Sequence, residues 1–279
     1  MRRALPDLIR RWRVYALVRE RDAELASLGV TQIVGDLDRR SSLRRLAGLA
    51  HAVVQSSPPP DHGNDDPRTR HLIAVLRRGS LPRRLVYIST SGVYGDCAGA
   101  RVAESRPARP VTARARRRVA AESQWRRYGA TSRCCVSILR APGIYAADRL
   151  PLDRVRKGLP VLHAAEDSWT NHIHAEDLAR ACVAALARGR ANRAYNASDD
   201  SDLRMGDWFD KLADAFHLTR PPRVSRGEAP KFLSPAMLSF MNESRRLDNE
   251  RLKRELRFRF RYPTVDAGIA AAKGNPCSG

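Results

Sequence analysis

The 279-residue sequence has little lysine, few aromatic residues and no long apolar run. Only five of its 51 basic residues are lysine, and aromatic residues make up 6% of the chain. The net charge of +21 would attract polyanions, but the arginines are spread from Arg2 to Arg261 and no aromatic stripe accompanies them. Nucleic-acid binding is therefore the least favoured interpretation. No run approaches the ~18 apolar residues of a membrane span, so we expect no membrane partner.

The cysteines show neither C-x-x-C spacing nor a cluster with histidine. This pattern argues against structural zinc and against a disulfide framework, and we expect no metal site. The basic N-terminus is not followed by an apolar core of signal-peptide length. We therefore expect a cytoplasmic protein.

Short apolar runs alternate with segments of helical composition over the first 200 residues. This order predicts βαβ units and a parallel sheet covered by helices on both faces. From about residue 206 helical segments dominate, which predicts a smaller, mostly helical C-terminal lobe. We expect domains at 1–200 and 201–273 and a disordered tail at 274–279. The predicted strands lie at 13–18, 31–34, 51–55, 84–89, 134–139 and 194–196, and the predicted helices at 21–28, 41–49, 68–78, 176–187, 206–216 and 245–256.

Four motifs resemble those of one family. They are V-Y-I-S-T-S-G-V-Y-G-D at 86–96, L-R-A-P-G-I-Y at 139–145, N-H-I-H-A-E-D-L-A-R-A at 171–181, and S-R-R-L-D-N-E-R-L-K-R-E-L at 244–256 with Y-P-T at 262–264. In this order they resemble the extended short-chain dehydrogenases, the NAD-dependent epimerase/dehydratase family. The resemblance implies an α/β fold with a Rossmann-like, doubly wound parallel sheet that binds NAD or NADP, and a C-terminal lobe that holds the substrate.

The first strand of that fold and its G-x-G-x-x-G turn have no counterpart in the sequence. The opening M-R-R-A-L-P-D-L-I-R-R-W is similar to the helix after that turn, so 13–18 corresponds to the second strand. In the usual strand order the absent strand is the central one. Two explanations stay open: a start codon assigned too late, or a short variant with damaged cofactor binding.

The resemblance assigns the adenosine half of a cofactor site to three loops. Arg19 follows the second strand, where arginine suits a 2′-phosphate and favours NADP over NAD, although an ordinary surface arginine is equally consistent. Asp36 and Leu37 match the pair that borders adenine, and Asp36 could also cap a helix. Ser56 and Ser57 lie where the chain would pass the phosphates and ribose. The nicotinamide half of the site is assigned to Ser89, Pro142, Gly143 and Ile144.

The family's catalytic residues are only partly present. The motif places Thr90 at the position of the hydroxyl that orients the substrate. Alignment on Glu122 puts Arg118 at the family's lysine and Arg114 at its tyrosine; members of the family that lack this tyrosine are described as atypical. Arginine stays protonated and only donates, so Arg118 could hold the cofactor ribose. Arg114 cannot act as a base; it could bind an acidic ligand group or face solvent.

Another proton-transferring group is therefore needed if the chain is an enzyme. Tyr94 is the first candidate, and Tyr145, His172 and His174 are others, with Tyr145 and His174 also assigned to substrate binding. A structural role is the alternative for each of them. Arg116 and Arg117 are expected to face solvent.

Three functions remain in view. The first is an NAD(P)-dependent oxidoreductase or epimerase/dehydratase acting on a small molecule, with an acidic or nucleotide-linked compound as the candidate. The second is a non-catalytic nucleotide-binding sensor or scaffold, and the third is a nucleic-acid-binding protein. The sequence leaves the oligomeric state open.

Overall fold

The computed structural model describes residues 1–274, which form short strands and helices in alternation. The strands are β1 (Tyr15–Val18), β2 (Thr31–Val34), β3 (Ala52–Gln55), β4 (Arg84–Thr90), β5 (Arg101–Val102), β6 (Cys135–Ala141), β7 (Gly143–Tyr145), β8 (Val161–Leu162), β9 (Trp169–Thr170), β10 (His172–His174), β11 (Arg193–Asn196), β12 (Leu203–Arg204), β13 (Arg223–Val224) and β14 (Arg246–Leu247). The helices are α1 (Leu5–Ile9), α2 (Ala23–Ser27), α3 (Pro67–Leu76), α4 (Ala113–Ser132), α5 (Leu152–Arg156), α6 (Ala175–Arg188), α7 (Met205–Ala215), α8 (Pro235–Met241), α9 (Glu250–Leu256) and α10 (Val265–Gly274).

The centre of the molecule is a four-stranded parallel sheet in the order β11-β6-β4-β3. Side chains alternate along β4, because successive residues of a strand point to opposite faces. Leu85 and Tyr87 pack with α3 and α4, whereas Val86 and Ile88 pack with α6 and α9. This arrangement confirms the predicted Rossmann-like α/β fold.

The strands β1 and β2 form a parallel pair of their own. Within residues 1–274 no ladder joins β1 to β3, and an opening of about 420 Å³ lies between them. All four residues of β1 are half-buried, although a strand inside a doubly wound sheet is normally buried. The sheet is thus interrupted between β1 and β3, which is the position where the resemblance places the central strand that the sequence lacks.

Two predicted helices are wrong in part. The segment 41–49 forms a 3₁₀ helix, Arg40–Leu46, held by hydrogen bonds between the Ser42 hydroxyl and the backbone of Asp36. The segment 245–256 is helical only from Glu250, because Arg246–Leu247 pairs with β5 as strand β14. The side chain of Asn171 accepts from Leu247 N at 2.7 Å and donates to Arg245 O at 2.8 Å, which keeps this backbone extended.

The C-terminal elements pack on the sheet domain through a shared core. Trp208 and Leu212 of α7 and Ile269 of α10 cluster with Tyr145 and Val161, which precede residue 200. The boundary at residue 200 stays a prediction. Residues 275–279 of the predicted tail lie outside the described residues. In the part of the chain that the structure describes, no helix combines the length and apolar character needed to cross a membrane.

Candidate active site

The carboxyl end of β4 leads directly into the 3₁₀ helix Ser91–Tyr94. The half-buried Thr90 caps that helix, because its Oγ1 accepts a hydrogen bond from Gly92 N at 3.3 Å. The turn closes at Gly95 with φ 68°. A Cβ at Gly95 would lie 2.3 Å from Arg109 O, so this position requires glycine. The strand end therefore presents the Thr90 hydroxyl from a rigid support.

Arg118 of α4 reaches the same end of β4. Its Nη1 donates to Ile88 O at 2.8 Å and to the hydroxyl of Tyr87 at 3.1 Å. Ile88 lies two residues before Thr90, so a fixed positive charge stands beside the strand end. Thr90 and Arg118 thus both lie near the carboxyl end of β4.

The other arginines of α4 point in different directions. The guanidinium of Arg114 stacks 4.1 Å from the ring centre of the exposed Phe240. Arg116 is exposed, as expected. Arg117 was wrongly expected to face solvent: it is buried, and its Nη1 donates to Gly63 O at 2.8 Å. The loop around Gly63 covers this part of the helix.

The Tyr94 side chain lies in the interior and does not line the cleft. Its hydroxyl donates to Asn196 Oδ1 at 2.7 Å and accepts from Arg140 Nη1 at 2.9 Å, and burial raises its pKa. Arg140 also forms a bidentate ion pair with the buried Glu122, which accepts a hydrogen bond from the Ser89 hydroxyl at 2.7 Å. The assignments of Tyr94 to catalysis and of the Ser89 side chain to the cofactor do not fit this network.

Tyr145, His172 and His174 also belong to the core. The hydroxyl of Tyr145 donates to Thr264 O at 3.3 Å, and the Nδ1 of His174 accepts from Glu176 N at the start of α6. Burial lowers the pKa of His172 to about 3, so its ring is neutral. The substrate-binding role predicted for Tyr145 and His174 is not supported, because internal partners and packing occupy both side chains.

The adenosine end of the predicted site lies beside β1 and β2. Arg19 is exposed, with its Nε 3.7 Å from Asp36 Oδ1 and its Nη2 3.7 Å from Asp38 Oδ2. Asp36 does not cap the 3₁₀ helix that follows, since its Oδ1 accepts from Asp38 N. Leu37 packs against the core under α3 and α4. Two carboxylates therefore lie near the exposed guanidinium of Arg19.

The remaining predicted cofactor residues lie directly after β3 and directly after β6. Ser56 is exposed and Ser57 half-buried at the end of β3, where both line the opening between β1 and β3. Gly143 is exposed, and a Cβ there would lie 3.1 Å from His172 Cδ2 and 3.2 Å from Asn171 O. Pro142 and Ile144 flank it and are half-buried. Gly143 is exposed and carries no side chain, so a cofactor ring at this edge would lie against backbone.

The sequence analysis did not identify one acidic residue of this region. Glu243 is 8% exposed, and its Oε2 lies 2.9 Å from Arg245 Nη1. The same guanidinium donates to Gly95 O at 2.8 Å, so the pair lies against the loop after Thr90. The only signal was an acid directly before the S-R-R motif.

The comparisons with known proteins identify the family. Residues 12–198 match the model of the NAD dependent epimerase/dehydratase family. The chain belongs to this family. It is 23% identical over 143 residues to the human dTDP-D-glucose 4,6-dehydratase, a match over 48% of this chain and 41% of that protein. The chain thus spans about two fifths of the length of the curated relative.

Solved structures share the fold over nearly the whole chain. A functionally unknown conserved protein from Silicibacter pomeroyi is 28% identical with a TM-score of 0.78, covering 98% of this chain and 93% of that one. A putative epimerase from Burkholderia cenocepacia is 16% identical with a TM-score of 0.75, covering 98% and 94%. A dTDP-glucose 4,6-dehydratase from Streptomyces venezuelae, solved with NAD bound, is 21% identical with a TM-score of 0.73, covering 98% and 90%. The family model confirms the predicted epimerase/dehydratase-like class, and the solved structures show the shared fold.

Proposed function

We propose that the chain binds NADP, in preference to NAD, across the carboxyl ends of β1, β3 and β4, and holds a small nucleotide-linked substrate beside Thr90. The observation that carries this proposal is that Thr90 ends β4 and Arg118 is bonded to Ile88 near the same end of the strand, while Gly143 is exposed after β6. Ligands of open parallel sheets bind at this edge, outside the carboxyl ends of the strands.

Each residue has a defined task in this proposal. Arg19 pairs with the 2′-phosphate of the cofactor. Arg118 uses Nη1 to hold the backbone of β4, which leaves the outer part of its guanidinium to donate to the nicotinamide ribose. Thr90 orients the substrate through its hydroxyl. The cofactor, when bound, supplies hydride exchange with a substrate carbon.

A non-catalytic nucleotide-binding function is the second candidate. Arg114 stands where the family's tyrosine would be, and its guanidinium stacks on Phe240. Arginine remains protonated and offers only donors, so no proton can be withdrawn from a substrate at this position. Stabilisation by NADPH without turnover of any sugar nucleotide would favour this second function.

Cofactor preference tests the proposal through Arg19. We expect the full chain to bind NADPH more tightly than NADH, measured by NADPH fluorescence and by thermal shift. Arg19→Glu removes a charged contact to the phosphate and should weaken NADPH binding about tenfold or more, since a hydrogen bond to a charged group contributes about 1.5–3 kcal/mol. Binding of NADH should stay within twofold of its original value.

Arg13→Glu is the matched control. Arg13 precedes β1, at the end of the strand opposite to Arg19, and the same reversal of charge there changes the net charge equally. We expect this variant to bind both cofactors like the parent chain. Equal loss of NADPH binding in both variants would show that Arg19 acts only through the general positive field, and no binding of either cofactor at millimolar concentration would contradict the proposal.

A further inference from the structure

The guanidinium of Arg114 connects the start of α4 with α8. It stacks 4.1 Å from the ring centre of Phe240, which is 49% exposed. A stacked guanidinium uses its face, and its N–H donors point outward in its plane. Within residues 1–274 the salt bridges of α4 are formed with Glu122, and none involves Arg114. Arg114 is therefore held in place by stacking while its donors and its charge are not used in an ion pair.

Further positive charges lie near Arg114. Arg118 follows four residues later on α4, so the two side chains project from one face of the helix, with Cβ atoms about 6 Å apart. Partial burial lowers the pKa of Arg114. Glu243 opposes this shift, whereas the positive charges of Arg245 and Arg118 add to it. At least three guanidinium groups therefore act on one another beside the Glu243 carboxylate, and their combined charge attracts an anion.

Arg245 connects this group of charges with the end of β4. Its Nη1 donates to Gly95 O at 2.8 Å, in the turn that follows Thr90, and pairs with Glu243 at 2.9 Å. The residue is 8% exposed, and its Nε is a buried donor that has no hydrogen-bond partner within residues 1–274. A buried donor without a partner is costly and uncommon, so this atom is a candidate for contact with an acceptor of a ligand.

We propose that Arg114, with Arg118 and Arg245 beside it, selects a nucleotide-linked sugar that carries a carboxylate. A guanidinium only donates, so the ligand group must accept, and a carboxylate accepts two parallel hydrogen bonds from one guanidinium. Because the proposed function places the sugar beside Thr90, the anion belongs to the sugar and not to its diphosphate. Arg114 thus determines specificity and takes no proton from the substrate. This inference rests on the proposed function and deepens it.

The test compares UDP-glucuronate with UDP-glucose, which carries a hydroxymethyl group in place of the carboxylate. Isothermal titration of the full chain in the presence of NADP should give a Kd for UDP-glucuronate that is lower by about tenfold or more. Arg114→Gln removes the charge and should reduce this preference by about tenfold. The Kd of the variant for UDP-glucose should stay within twofold of its original value, because no charged contact is lost there.

Arg116→Gln is the matched control. Arg116 is an exposed arginine of the same helix, and its Nη2 donates to Val111 O at 3.0 Å. The variant changes the net charge equally and should keep the full preference for UDP-glucuronate. Equal affinity of the parent chain for the two sugar nucleotides, a preference that Arg114→Gln retains, or an equal loss in both variants would overturn the inference. NADPH binding, measured in parallel, decides separately whether the proposed function stands.

Discussion

In the proposed alignment arginine takes the place of both the tyrosine and the lysine of the family's catalytic pair, and the two arginines have different surroundings. Arg118 keeps the charge and donor capacity of a lysine, and its contacts with Ile88 and Tyr87 hold it beside Thr90. Arg114 provides no base and instead stacks on Phe240. Cofactor binding is therefore compatible with these residues, whereas proton transfer at position 114 is not.

Asp199 provides a test of electrostatics in the core. It is 3% exposed, its Oδ2 has no partner in the described part of the chain, and burial raises its pKa to about 8. The unfolded pKa is about 4, so between about pH 4 and pH 8 the folded chain holds a proton that the unfolded chain lacks. Stability should therefore fall as pH rises through this range.

Asp199→Asn should remove this dependence because the amide is neutral at every pH. Relative to the parent chain, we expect the variant to gain about 1–3 kcal/mol in the free energy of unfolding at pH 9, and little at pH 5. Urea denaturation at both pH values measures the difference. Asp153→Asn, in an exposed pair with Arg156, is the control and should show no such trend. A gain that is equal at both pH values would contradict the assignment.

Residue positions were predictable where a motif fixes a residue relative to a strand end, whereas the roles of these residues stay predictions. Thr90 and Gly143 follow directly from their motifs. Tyr94 was misjudged because its partner, Asn196, is distant in sequence, and no local pattern shows whether a polar side chain points to the cleft or to an internal partner. The same reason hid Glu243.

At the scale of elements, the split sheet is the main departure from a doubly wound fold. The edge of β1 that faces the opening and the facing edge of β3 carry no ladder within residues 1–274. The pair β1·β2 is held mainly by the pairing of its two strands and by a small apolar cluster around Leu25 and Val30. Such a unit opens at lower free energy than a strand bonded on both sides.

Hydrogen exchange should reveal this difference. We expect the amides of Tyr15–Val18 and Thr31–Val34 to exchange at least about tenfold faster than those of Arg84–Thr90, which is bonded by β3 and β6. Mass spectrometry of peptic fragments gives the comparison, with β11, an edge strand of the four-stranded sheet, as the control for edge position. Equal protection of β1 and β4 would show that the pair is firmly joined to the sheet.

The buried strands were predictable because they are continuous apolar runs, and β2 was placed at its observed bounds. The predicted elements that were wrong are those that long-range contacts determine. Asn171 holds the backbone at 245–247 extended, and local propensity cannot anticipate such a bond.

At the scale of the whole molecule, many arginines have internal tasks. Arg140 lies in a buried ion pair, Arg117 bonds a loop carbonyl, and Arg204 and Arg246 both lie against Trp169. Part of the high net charge therefore comes from arginines with internal contacts, and not all of it belongs to a surface that attracts polyanions. The whole-molecule feature that relates to function is the carboxyl edge of the strands, where the residues assigned to a cofactor lie.

The most direct test of that assignment is the map of chemical-shift changes when NADPH is added to the isotope-labelled full chain. We expect chemical-shift changes at residues along the carboxyl edge of the strands, namely Arg19, Leu37, Ser56, Thr90 and Gly143. These changes should saturate with one cofactor bound per chain. Changes confined to other surfaces, or none at millimolar NADPH, would contradict that assignment.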